Sequence, residues 1–150
     1  MKQFLVTTSD AMEAFGSKLA RLLEPGDLLL LAGPLGAGKT TLTRGIGEGL
    51  RASGTIQSPT FVLARTHRTS MGPLVHVDAY RLGSAVELDD LDIDFERSLV
   101  VIEWARDYLE GYVENYLEIE IDRSAQDESR VLKLKPVGRR WEEADLASLD

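Results

Sequence analysis

Short apolar runs alternate along this chain with amphipathic stretches, and the alternation predicts its elements. Residues 4–7, Phe4-Leu5-Val6-Thr7, make a short first strand. Ser9 or Asp10 is placed to cap a helix running to about Leu23, with Met12, Phe15, Leu19 and Leu22 as an apolar stripe at helical spacing. Pro25-Gly26 then bounds Asp27-Leu28-Leu29-Leu30-Leu31-Ala32, a continuous apolar run suited to a strand buried on both faces. Residues 39–50 read as a second helix, 51–58 as a polar connection and 60–64 as a strand. Ser70-Met71-Gly72-Pro73 marks a turn before the next strand, 74–80. Ser84-x-x-Glu87 has the form of a capping box opening a short acidic helix. Residues 99–103 form a second fully apolar strand ending in a carboxylate, and 106–113 hold another helix. Residues 117–121 and 131–135 alternate apolar with charged, as half-exposed strands do, and a short helix begins at Trp141.

Strands alternating with helices around Gly33-Pro34-Leu35-Gly36-Ala37-Gly38-Lys39-Thr40, a run that fills a phosphate-loop pattern, argue for a three-layer α/β sheet of the P-loop NTPase-like kind. It should be mostly parallel, with an antiparallel extension near the C-terminus. A length of 150 residues, with no repeat, low-complexity tract or linker, fits a single domain over 1–150.

Between the buried strand and the second helix stands Gly33-Pro34-Leu35-Gly36-Ala37-Gly38-Lys39-Thr40-Thr41, which fills the phosphate-loop pattern G-x-x-x-x-G-K-[ST]. The glycines allow backbone N–H groups to wrap an anion, and the helix N-terminus favours negative charge. Lys39 supplies a mobile point charge for β- and γ-phosphate oxygens, and the Thr40 hydroxyl is a Mg²⁺ ligand. The expectation is a nucleoside-triphosphate-binding protein.

Two acids are placed to complete a Mg²⁺ site. Asp78 and Glu103 each follow a hydrophobic strand, where a carboxylate emerges beside a nucleotide bound beyond the strand ends. The alternative for either is a strand-end charge meeting solvent. Guanine-reading GTPases use Asn-Lys-x-Asp, but the only asparagine, Asn115, sits in Glu114-Asn115-Tyr116-Leu117, so ATP is the expected nucleotide. On spacing alone Ser58-Pro59-Thr60-Phe61 reads first as a loop-to-strand turn with Phe61 in the core. Arg81 reads as a surface ion pair, and His67 and His76 as structural.

The formal net charge of −8, with no block of Lys or Arg, argues against autonomous tight nucleic-acid binding. The absence of cysteine removes disulfides, thiolate metal sites and a Cys nucleophile. No long apolar core follows Met1, and the longest apolar stretch is too short for a bilayer, so a soluble cytoplasmic protein with no membrane partner is expected.

Taken together, the phosphate loop, then Ser58-Pro59-Thr60-Phe61, then His76-Val77-Asp78-Ala79-Tyr80-Arg81-Leu82, then Ile102-Glu103-Trp104, resemble the TsaE family. That family is the bacterial ATPase of tRNA threonylcarbamoyladenosine biosynthesis. The resemblance implies ATP and Mg²⁺ as cofactors and TsaB and TsaD as protein partners, with tRNA reached only through that complex. It implies that Gly33, Pro34, Leu35, Gly36, Ala37, Gly38, Lys39, Thr40 and Thr41 cradle the phosphates, with Thr40 on the metal. Glu103 and Asp78 match the family's acids for metal binding and water activation, in an order the motifs leave open. The segment from Ser58 to Phe61, with Ser58 and Thr60 as its nucleotide-facing hydroxyls, matches a nucleotide-sensing switch, which reverses the turn reading, and Trp104 matches a tryptophan near the nucleotide. The rival functions are a small-molecule phosphotransferase and a nucleotide-gated scaffold with negligible hydrolysis. The acid-rich stretch 84–98, with Arg97 its only arginine, fits a kinase lid poorly.

Overall fold

The computed structural model describes residues 1–34, 36–57, 64–79, 91–103, 113–123 and 127–150. These carry seven strands: β1 (Lys2–Val6), β2 (Leu28–Ala32), β3 (Ala64–Thr69), β4 (Gly72–Asp78), β5 (Leu99–Glu103), β6 (Tyr116–Asp122) and β7 (Arg130–Val137). The helices are α1 (Ser9–Ala20), α2 (Lys39–Gly49) and α3 (Arg139–Glu142), with a terminal 3₁₀ turn at Leu146–Leu149. The strands lie in the order β1-β7-β6-β2-β5-β4-β3. The four central strands, β6, β2, β5 and β4, run parallel. Antiparallel strands close both edges, β7 and β1 on one side and β3 on the other. The expected extension near the C-terminus is there, and β3 adds a second antiparallel edge.

The unbroken apolar run of β2 follows from its place in the sheet. Leu29 and Leu31 join a cluster with Met12, Phe15 and Leu19 of α1 and Leu42 and Ile46 of α2. Leu28 and Leu30 point the other way, into a cluster with Val75, Val77, Val100 and Ile102. A strand covered on both faces has no position left for a polar residue. α1 and α2 cross almost backbone to backbone, with Gly16 facing Leu42 and Gly45 facing Glu13.

Several boundaries differ from the sequence expectation, each for a physical reason. α1 is capped by Thr8, not Ser9 or Asp10: its Oγ1 accepts from the Ala11 N–H at 3.0 Å. It ends at Ala20, and the chain tightens into turns through Leu22 N–H to Leu19 O and Leu23 N–H to Ala20 O. β1 starts at Lys2 because its pairing with β7 begins there, Lys2 opposite Leu134. β3 continues to Thr69 through a polar sequence in which only His67 is buried, so apolar periodicity gave no sign of it. Its pairing with β4 across Ser70 and Met71 holds it, as the expected turn requires. β6 was expected to be half-exposed but lies between β2 and β7, and even Glu118 is buried there. The final helix starts at Arg139, two residues early, and ends after four residues. The capping box at Ser84 and Glu87, where a short acidic helix was expected to open, and the helix expected at 106–113 lie outside the described residues, apart from Val113, as does most of the 60–64 strand.

The chain end is fastened to the start of β2. Arg140 donates from Nε and Nη2 to the two carboxylate oxygens of Asp27, each at 2.9 Å, and its guanidinium lies 4.5 Å from the Trp141 ring. Asp27 is buried and also accepts the Glu24 N–H at 2.8 Å. Removing the guanidinium would strand a buried carboxylate. Arg140→Ala is expected to cost about 2 kcal/mol, below the usual range for a fully buried pair because the guanidinium is partly exposed. Urea denaturation measures this; a loss below about 0.5 kcal/mol would place it among neutral surface changes.

Candidate nucleotide site

The loop from β2 to α2 leaves the sheet at the carboxyl end of its central parallel strands. Gly38 caps α2 with φ 114°, a left-handed conformation, and no side chain caps the helix there. A Cβ at Gly38 would be strained by that φ and would also crowd Met12 Cε at 3.1 Å. With no side chain in the way, the first amides of α2 remain available to an anion. Lys39 is buried, and its Nζ donates to the carbonyls of Gly33 at 2.7 Å and Pro34 at 3.1 Å. The lysine thus bends back over its own loop.

Asp78 and Glu103 end neighbouring parallel strands as direct register partners, and Leu31 of β2 stands on the other side of Glu103. Both carboxylates act on the Lys39 ammonium. Burial lowers its pKa, and Glu103 followed by Asp78 pulls the other way. Glu103 is itself buried, while Asp78 is half-buried. Among the described residues no group of three or more His, Asp or Glu could hold a metal alone. Two strand-end carboxylates, with the Thr40 hydroxyl in the first turn of α2, are donor types that suit Mg²⁺, which keeps water and phosphate oxygens among its ligands.

The residues expected to meet here do so in large part. Gly33, Pro34, Gly36, Ala37, Gly38, Lys39, Thr40 and Thr41 form the loop and the first turn of α2, with Asp78 and Glu103 at the adjoining strand ends. Leu35, Ser58, Thr60, Arg81 and Trp104 lie outside the described residues. His76, read from sequence as structural, is buried with Nε2 3.4 Å from Glu103 Oε2.

Sequence reasoning missed a cavity of about 130 Å³ beside the loop, lined by Thr8, Ser9, Met12, Thr41, Glu128 and Arg130 with the loop's own glycines. Arg130 reaches across from β7 and donates from Nε to the Ala37 carbonyl at 3.2 Å. Its Nη1 holds the carbonyls of Asp127 and Ser129 at 3.1 and 3.0 Å. Thr8 carried a local signal as a helix cap, whereas Arg130 carried none. It lies 93 residues from Ala37 in sequence, and the antiparallel pairing of β7 with β6, the neighbour of β2, brings it there.

A parallel sheet with a glycine-rich loop joining its central strand to a helix defines the fold as that of the P-loop NTPase-like α/β proteins. The family model of the threonylcarbamoyl adenosine biosynthesis protein TsaE matches residues 6–132, and the chain belongs to the TsaE family. The tRNA threonylcarbamoyladenosine biosynthesis protein TsaE of Streptomyces coelicolor is 49% identical over 92% of this chain and 99% of its own length. Its counterpart in Bacillus subtilis is 37% identical over 95% of this chain and 91% of its own. The crystal structure of Bacillus subtilis YdiB superposes with a TM-score of 0.76 at 33% identity, covering 94% of this chain and 88% of that one. No helix among the described residues is long and apolar enough to cross a membrane.

Proposed function

We propose that the chain is the ATP-binding and ATP-hydrolysing component of the tRNA threonylcarbamoyladenosine machinery, working in the cytoplasm on a complex of TsaB and TsaD. The observation that carries the ATPase reading is the convergence of Lys39, Asp78 and Glu103. A buried ammonium on a phosphate loop feels two carboxylates at the ends of adjacent strands. Membership of the family supports the pathway, and the four motifs in order support the partners.

Mg²⁺, when bound, would neutralise charge on the phosphates. The chain's own groups do the rest. The α2 amides and the turns at Gly36 and Gly38 hold the phosphates, and Lys39 exchanges the Gly33 and Pro34 carbonyls for phosphate oxygens. Thr40 and one or both acids hold the metal. The cavity beside the loop receives the nucleoside end, with Met12 as its apolar wall and Thr8, Ser9, Glu128 and Arg130 as polar contacts. Asn115 is not placed to read a guanine: it precedes β6 at the amino end of the parallel strands, the end away from the loop, and its Oδ1 accepts the Arg140 N–H at 3.2 Å.

Calorimetry with ATP and Mg²⁺ tests the reading. Lys39→Ala is expected to weaken binding by about 10–100-fold, the worth of a charge-assisted hydrogen bond, while circular dichroism shows the fold retained. Undiminished affinity would overturn the phosphate site. In competition the wild type should prefer ATP to GTP; preference for GTP would show the base site misassigned. Phosphate released from labelled ATP supports the ATPase, and a labelled small-molecule product would identify a kinase instead.

A further inference from the structure

The position of His76 is costly. It is fully buried, and neither ring nitrogen has a hydrogen-bond partner among the described residues. It stands on β4 two residues before Asp78, on the same face of the sheet. Its register partner on β5 is Val101, two residues before Glu103. Leu74, on that face one pleat earlier, is wholly buried in the apolar cluster under α1 and α2. An aliphatic residue in place of His76 would continue that packing without desolvating two polar atoms, a burden of about 1–3 kcal/mol for each group left unpaired. An imidazole offers instead a directed N–H. The group within reach is Glu103, with Nε2 to Oε2 at 3.4 Å and both side chains almost wholly buried. A small rotation about the Glu103 side chain closes that gap to a charge-assisted hydrogen bond.

We propose that His76 is a positioning residue for Glu103: a hydrogen on Nε2 holds Oε2, so that the other oxygen is presented to the metal side of the phosphate loop. A glutamate has three side-chain torsions, and one tethered oxygen removes most of that freedom before metal arrives. Partners of this kind around a ligating group change metal affinity by about 10–100-fold. The inference rests on the proposed role of Glu103 at a Mg²⁺·ATP site.

Two measurements on the full chain test it. The first is nitrogen NMR of the imidazoles in ¹⁵N-labelled protein. His67 has Nδ1 3.1 Å from the Ser53 carbonyl, which can only accept, so its hydrogen belongs on Nδ1. The two histidines are therefore expected to differ, with His76 carrying hydrogen on Nε2. A bare Nε2 on His76 would overturn the proposal. The second compares His76→Leu with His76→Gln, whose amide N–H can reach the same oxygen. His76→Leu should raise the Mg²⁺ concentration for half-maximal phosphate release about 10-fold, with ATP affinity in the absence of Mg²⁺ within twofold of wild type. His76→Gln should recover most of the difference. A merely structural role predicts lower melting temperatures with unchanged Mg²⁺ dependence, and that result, or a Gln variant no better than Leu, overturns the positioning role. If the wild type shows no Mg²⁺-dependent ATP binding or hydrolysis, the nucleotide-site reading fails instead. The Nε2 hydrogen then still decides whether His76 holds Glu103.

Discussion

Glu103→Gln and Asp78→Asn are each expected to lower phosphate release in the presence of TsaB and TsaD by about 10²–10³-fold, the scale of removing one preorganised electrostatic contact to a transition state. Both substitutions keep the shape of the side chain and remove its charge. The two carboxylates face one another in register, and both draw on the Lys39 ammonium. Losing either therefore removes metal-side charge while leaving the other to balance the lysine. ATP should still bind, since the loop, the α2 amides and Lys39 are untouched. Glu103→Gln is expected to have the larger effect, because Glu103 is buried and Asp78 only half so, and charges interact more strongly away from water. The wild type alone should turn over slowly and accelerate with its partners. Phosphate release by all three proteins, with and without TsaB and TsaD, measures both expectations. Full stimulated activity in both variants would sink the assignment of the acids, and equal rates for the lone protein and the mixture would sink partner gating.

Gly45→Ala should destabilise the fold by about 3 kcal/mol, at the upper end for overpacking a well-filled interface. The backbones of α1 and α2 come together there, and the Ser17 hydroxyl donates to the Gly45 carbonyl at 3.0 Å. A Cβ on Gly45 would lie far inside van der Waals contact with the Glu13 carbonyl oxygen, and one on Gly16 would come within 2.5 Å of the Leu42 carbonyl oxygen. The obstacle in each case is backbone, which cannot rotate away as a side chain can, so the helices must separate. For a domain of this size such a loss lowers the thermal midpoint by about 6–12 °C. A midpoint within 2 °C of wild type would mean that the helices tolerate separation and that the close crossing contributes little. Because α2 begins at Lys39, a variant that remains folded should also bind ATP more weakly, through displacement of its first turn.

Part of this protein was decided by its sequence alone, because the evidence was local. The apolar runs of β2 and β5 announced strands covered on both faces, and the fixed spacing from Gly33 to Thr40 announced the loop between β2 and α2. The stripe of Met12, Phe15 and Leu19 marked α1, and the acids closing β4 and β5 were legible as strand-end carboxylates. Each signal lies within one element, where residue spacing maps directly onto geometry. Other features depended on contacts between distant segments. β3 has the composition of an exposed stretch and is a strand because β4 offers it an edge. β6 alternates like a half-exposed strand, yet it is buried between β2 and β7. Arg130 reaches the phosphate loop because β7 pairs antiparallel with β6, the neighbour of β2, so that its first residue lies at the carboxyl end of the central strands. His76 looks like an ordinary core residue until the β4–β5 register brings it beside Glu103. Local spacing reports which face a side chain takes on its own element, whereas strand order and register determine what it meets there, and those are set by the packing of the whole sheet.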